Sequence, residues 1–188
     1  RISDEVNCDK VIVDDFDSAV DATNHLIRLN CKKIALVSTI DNLSVGKLRA
    51  DGYRSALQKK GYLIDESLIL HTDNTEDFDI KLPELFDKKP DGIFALDEHA
   101  SVMAMKAALK RGIKIPDELN IIGFADGVWS RRLTPSLSTV SQHAPEIGAA
   151  AASMLIRRLE IRPDDEAPEY ETKVIKTELR QRESTRKL

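Results

Sequence analysis

The chain has 188 residues, 41% hydrophobic and 32% charged, with a net charge of −4. That is enough for one α/β domain with a sizeable core. The acidic balance argues against nucleic-acid binding by this stretch itself, which would need a basic stripe. No apolar run approaches a membrane span and no signal peptide is visible, so no membrane partner is expected. Cys8 and Cys31 have neither metal spacing nor a disulfide framework and read as reduced, structural thiols. The chain starts at Arg1 without a methionine and reads as a piece of something longer.

Residues 1–10 carry no periodicity and read as a lead-in. Val11–Val13 is a short strand ending at Asp14 and Asp15. Asp17 or Ser18 can cap the helix that follows, whose stripe is Ala19, Ala22, Leu26 and Leu29, with Asn30 at the left-handed C-cap. Ile34–Val37 is the next buried strand and would close a βαβ unit with the first. After a polar connection, Leu48 to Lys60 is a helix ending at Gly61, and Leu68–Leu70 is a weaker strand. Residues 76–89 are an amphipathic helix that Pro83 should kink or shift.

The centre of the chain is Pro90 to Gly127. Gly92–Leu96 and Asn120–Phe124 are continuous apolar runs, the pattern of strands buried on both faces. Between them, His99 to Arg111 has helical spacing, with Asp97 to cap its start and Gly112 to end it. Strand, helix and strand make one right-handed βαβ unit. Val128 to Thr134 reads as a loop carrying the single tryptophan, Trp129. Ser136–Val140 is a strand, Pro145 opens a helix reaching Leu159, and Arg162 to Pro168 is a surface loop. Tyr170–Ile175 is an edge strand and Arg180 to Leu188 a basic tail. Five or six strands alternating with helices predict an α/β fold with a doubly wound, mostly parallel, Rossmann-like sheet.

Catalytic signatures are absent from the sequence. Ser44–Lys47 resembles the end of a phosphate-binding loop, but Asp41 and Leu48 stand where glycine and a hydroxyl residue are needed. There is no G-x-G-x-x-G after a strand and no G-x-S-x-G. The four histidines, His25, His71, His99 and His143, show no ligand spacing. We therefore expect no enzyme activity, no cofactor and no metal. Ligands of such sheets bind beyond the carboxyl ends of the strands. Asp14, Asp15, Asp97 and Asp126 all follow strands, either as ligand contacts or as caps. Arg49, at a helix start where the dipole disfavours a cation, needs a reason to be there. Gln142 leaves the sheet with a free amide, and Phe16 or Trp129 could stack on a sugar face.

Ile113 to Phe124 followed by Thr134–Val140, with Val13–Phe16, His25–Ile27, Lys33–Leu36, Arg49–Tyr53 and Thr177–Arg182 in the same order, resembles the effector-binding domain of the LacI/GalR family of bacterial transcription repressors. That resemblance implies a two-lobed module similar to periplasmic sugar-binding proteins, with a helix-turn-helix outside this stretch. It implies that residues 1–140 form the C-terminal lobe. Residues 141–162 would be a crossing and a helix belonging to the missing N-terminal lobe, and 163–188 a return strand and tail. By position it assigns Arg49, Asp126 and Gln142 to the ligand cleft, and Asp14 after them. Phe16 and Asp97 complete the candidate set. The implied protein is a cytoplasmic, homodimeric regulator that senses a small polar metabolite, a sugar or sugar derivative, and meets operator DNA only through its missing N-terminal domain. The alternative is a periplasmic solute-binding protein of a transporter. Leu96 and Ala125 stand where family members often carry Asn and an acidic residue, so two sugar contacts would be replaced by apolar groups, and a hexose is not assigned.

Overall fold

The structure, a computed structural model, describes residues 6–72, 74–161 and 168–187. The loop expected at 162–168 falls outside the described residues, Pro168 excepted. The strands are β1 (Lys10–Val13), β2 (Ile34–Ser38), β3 (Ile69–His71), β4 (Gly92–Ala95), β5 (Asn120–Phe124), β6 (Ser138–Ser141), β7 (Thr172–Ile175) and β8 (Glu178–Arg180). The helices are α1 (Asp15–Arg28), α2 (Ser44–Lys59), α3 (Phe78–Asp87), α4 (Glu98–Lys110), α5 (Val128–Arg132) and α6 (Ala144–Leu159).

Six strands form one sheet in the order β3-β2-β4-β5-β6-β8, parallel except for β8. Its central strands are apolar without alternation because both faces are covered, as parallel sheets require. Successive residues feed opposite layers. Ile93 and Ile121 pack with Leu82, Met105 and Ala104 from α3 and α4, while Phe94 and Ile122 pack with Leu26, Tyr53 and Leu57 from α1 and α2. The Tyr53 hydroxyl, buried with its ring, donates to the Ile34 carbonyl at 2.7 Å, so burying it costs little. Asn30 (φ 64°) and Gly112 (φ 72°) end α1 and α4 in the left-handed conformation that the sequence indicates. Asp97 caps α4 by accepting Ala100 N–H at 2.8 Å.

Four expectations are corrected. β1 does not close a βαβ unit with β2: it pairs in parallel with β7, Lys10 opposite Thr172 and Val13 opposite Ile175, in a separate two-stranded sheet. Val13, Ile175 and Ala150 of α6 make a small cluster of their own, so the lead-in goes with α6 and β7 rather than with the larger sheet. Neither Asp17 nor Ser18 caps α1, which starts at Asp15; the Ser18 hydroxyl donates instead to the Asp15 carbonyl at 3.0 Å. Trp129 lies on a short helix rather than in a loop, and is 62% exposed. The basic tail is structured as far as Lys187. It begins as β8, and Ser184 and Thr185 are then buried beside β5 and β6, where Ser184 Oγ donates to the Ile121 carbonyl at 2.6 Å. α3 starts at Phe78 and runs on through Pro83, which lies inside it.

Three crossings therefore join the small β1–β7–α6 unit to the large sheet: Val13 to Asp15, Ser141 to His143, and Ile175 to Glu178.

Candidate functional site

Two cavities open at these crossings, beyond the carboxyl ends of the parallel strands, and Gln142 lines both. The first, about 500 Å³, lies between β1, the starts of α1 and α2, and Ile147 of α6; Asp15 and Arg49 face it. The second, about 410 Å³, lies over the ends of β5 and β6, lined by Glu98, Ala125 to Gly127, Arg131, His143 and Arg180 among others. The Gln142 amide is half-buried and makes no hydrogen bond to any described residue.

Arg49 is only 5% exposed. Its Nε donates to Asp15 Oδ1 at 2.7 Å and its Nη1 to the Leu96 carbonyl at 2.6 Å. Its guanidinium carbon lies 3.5 Å from the centroid of the Phe124 ring, a cation–π contact. Burial pushes the guanidinium's pKa down and the Asp15 carboxyl's up, and each charge opposes the other's shift. Because α2 begins at Ser44, Arg49 sits more than a turn inside the helix, beyond the reach of the N-terminal dipole. Asp15, not the dipole, accounts for an arginine here.

Asp126 lines the second cavity, yet its side chain is 4% exposed and fully engaged. It accepts from Ser130 Oγ at 2.9 Å, from Thr139 Oγ1 at 3.2 Å, and from Arg180 and Arg182. Against burial, which acts to raise it, the bonds from Ser130, Arg182 and Arg180 hold this carboxyl well below the usual range. Asp126 thus knits α5, β6 and β8 together at the cavity wall.

Asp14, Asp97 and Phe16 line neither cavity. Asp14 accepts Thr177 N–H at 2.9 Å and pairs with Lys176 at 3.1 Å, tying one crossing to another. Asp97, besides capping α4, accepts Thr39 N–H at 2.9 Å and so links the ends of β4 and β2. Phe16 is half-buried on α1. Leu96 does not present an apolar group to either cavity: its side chain is fully buried in the core and only its carbonyl matters here, through Arg49. Ala125 does line the second cavity, in a left-handed conformation (φ 78°).

Two residues outside the family-assigned set line the cavities. Asp15 is a strand-end candidate equivalent in sequence to Asp14, and only the start of α1 decides which of the two turns inward. Glu98 lines the second cavity with a buried Oε1 that has no hydrogen-bond partner among the described residues. It lies so close to Gly127 that a side chain there would collide with it, and no sequence signal marks this. Among the described residues no group of three or more His, Cys, Asp or Glu is placed to hold a metal. No helix among them is long and apolar enough to cross a membrane.

A model of the periplasmic binding protein-like domain matches residues 23–185. The chain is 36% identical over 143 residues to the HTH-type transcriptional regulator DegA of Bacillus subtilis, covering 75% of this chain and 42% of that protein. It is 34% identical over 167 residues to a ribose operon repressor of Halalkalibacterium halodurans, covering 88% and 49%. Among solved structures, a complex of the transcriptional regulator CelR with cellobiose superposes with a TM-score of 0.84 at 26% identity, over 95% of this chain and 54% of that one. A LacI family regulator from Enterococcus faecium with bound ribose does so with a TM-score of 0.84 at 28% identity, over 94% and 65%. The chain spans about half the length of the curated relatives it matches.

Proposed function

The chain belongs to the periplasmic binding protein-like family, among the LacI-type transcriptional regulators, and from that premise we propose that it is the effector-sensing part of a cytoplasmic, DNA-binding regulator. The ligand is a small polar metabolite, a sugar or sugar derivative, held where the two cavities meet. Arg49 and Gln142 hydrogen-bond it, and Asp126 stiffens the wall behind it. The observation that carries this is a pair of open cavities, at crossings between two sheets, that share Gln142, whose amide bonds to no described residue. A site on such crossings can bias how the two units sit relative to each other, and a ligand shifts that balance only if it binds one arrangement better.

The small unit is the seed of a second lobe completed by chain outside these residues. Leu155, Ile156 and Leu159 of α6 are exposed, Leu159 by 75%, as a face awaiting that lobe would be. DNA is met through a helix-turn-helix outside these residues, and the regulator works as a homodimer. A transporter's solute-binding protein, the competing reading, has less support, since the curated relatives are regulators. The test is calorimetric titration of the complete protein with a panel of mono- and disaccharides that includes D-ribose and cellobiose. A saturable one-to-one signal from at least one sugar is expected, and none from any would overturn the assignment.

A further inference from the structure

We infer that His143 is a pH-sensitive clasp between two of the three crossings, closed when its imidazole is protonated and loosened when it is neutral. His143 stands on the wall of the second cavity, so the clasp would regulate the proposed sensor. Only that consequence rests on the sensor reading.

His143 is where the chain turns from β6 into α6, in a left-handed conformation (φ 51°, ψ 50°). Its side chain is mostly buried between two carboxylates. Nδ1 lies 3.3 Å from Glu146 Oε1, on the first turn of α6. Nε2 lies 3.9 Å from Glu178 Oε2, at the start of β8, where the crossing from β7 rejoins the large sheet. The ring therefore spans the second and third crossings. One of its carboxylates belongs to the small unit and the other to the large sheet.

A neutral imidazole has a single N–H and can serve one carboxylate, whereas imidazolium has two and a charge that attracts both. Histidine is the side chain that ordinarily changes charge between pH 5 and 8. The other tie between crossings lacks that property. Asp14 joins the first crossing to the third, and against burial, which acts to raise it, bonds from Thr177 and Lys176 hold its carboxyl below the usual range. It stays charged throughout the window. Arg180 competes for Glu178, donating to Oε2 at 3.2 Å, but Asp126 engages it too, together with Arg182 and Arg131. Glu98, from α4, adds a further carboxylate to the same cavity. As pH falls from about 7.5 to 5.5 the ring gains its charge and the clasp tightens, and as pH rises that contribution is lost.

The experiment is amide hydrogen exchange on the complete protein at about pH 7.5 and 5.5, corrected for the intrinsic rates of unstructured amides. It reads three bonds at the crossings: Thr177 N–H to Asp14, and the Glu146 and Ile147 N–H groups to the His143 carbonyl. Their protection should rise about two- to fivefold at the lower pH, the range of a single exposed ion pair. His143→Asn keeps a residue that tolerates the left-handed turn and removes the titration. Glu178→Gln keeps the imidazole and removes its charge partner on β8. Both variants should lose the pH response while their melting temperatures show them folded. Equal protection of the wild type at the two pH values overturns the clasp, and so does a full response in either variant. No ligand enters this measurement, so its failure leaves the sensor reading standing, and a failure to bind any sugar leaves the clasp to be judged by exchange.

Discussion

Asp14 accepts the backbone N–H of Thr177 at 2.9 Å, across 163 residues of chain. The bond fastens the crossing that enters α1 to the crossing that leaves β7, and Lys176 closes on the other carboxylate oxygen at 3.1 Å. Asp14→Ala should cost about 1–2 kcal/mol, because a partly buried N–H loses its acceptor. Asp14→Asn retains an acceptor and loses only the pair with an exposed lysine, so it should cost under about 1 kcal/mol. Urea unfolding of the complete protein distinguishes the two, and equal losses would place the energy in the ion pair instead.

The Asp15–Arg49 pair predicts strong non-additivity. Removing either partner strands the other's charge in the interior, at roughly 3–5 kcal/mol. Asp15→Asn combined with Arg49→Met leaves no stranded charge and should cost clearly less than the sum of the two single changes. Additive losses in a double-mutant cycle would mean that the two charges do not depend on each other.

Gly52 sits where α2 crosses α1. A methyl group there would stand 2.5 Å from the Phe16 carbonyl oxygen and 2.8 Å from Ala19 Cβ, and both belong to a packed helix that cannot yield locally. Gly52→Ala should therefore destabilise by about 1–3 kcal/mol despite alanine's better helix propensity. A more stable variant would show that the helices have room to separate.

His25 is buried on α1, with Nε2 unpartnered among the described residues. Burial first, and then the charge of Arg28, lower its pKa from 6.5. The folded state thus favours neutral imidazole. Its contribution to stability is complete above the unfolded pKa and is lost as pH falls below about 6.5. His25→Leu should flatten the decline in melting temperature between about pH 7.5 and 5.5, a window set by the free imidazole's pKa. An unchanged slope would assign the decline to other groups.

The large sheet was legible because its signals are local: continuous apolar runs at Gly92–Leu96 and Asn120–Phe124, and turn residues at Asn30 and Gly112. The small unit was not. β1 and β7 are four residues each and pair across most of the chain, and nothing in either short strand names its partner. β8 was hidden because an edge strand tolerates charge, so Glu178–Arg180 reads as surface. Of the two candidates that line the first cavity, Gln142 stands out in sequence as an amide where the chain leaves the sheet, whereas the helix-start argument that marks Arg49 fails because α2 begins at Ser44. Asp15 was not separable from Asp14, because adjacent residues at a helix start point about 100° apart and the start itself was misplaced.

A sensor of this kind requires that sugar occupancy at Arg49 reach DNA. The direct measurement is the affinity of the complete protein for its own promoter DNA, with and without a saturating sugar, in wild type and in Arg49→Lys. Lysine keeps a positive charge beside Asp15 but cannot also reach the Leu96 carbonyl and the cavity in the same geometry. The wild type should change its DNA affinity by at least about fivefold on adding sugar. Arg49→Lys should bind sugar-free DNA normally and lose most of that response. A full response in Arg49→Lys, or a wild type whose DNA affinity ignores every sugar it binds, would contradict the account.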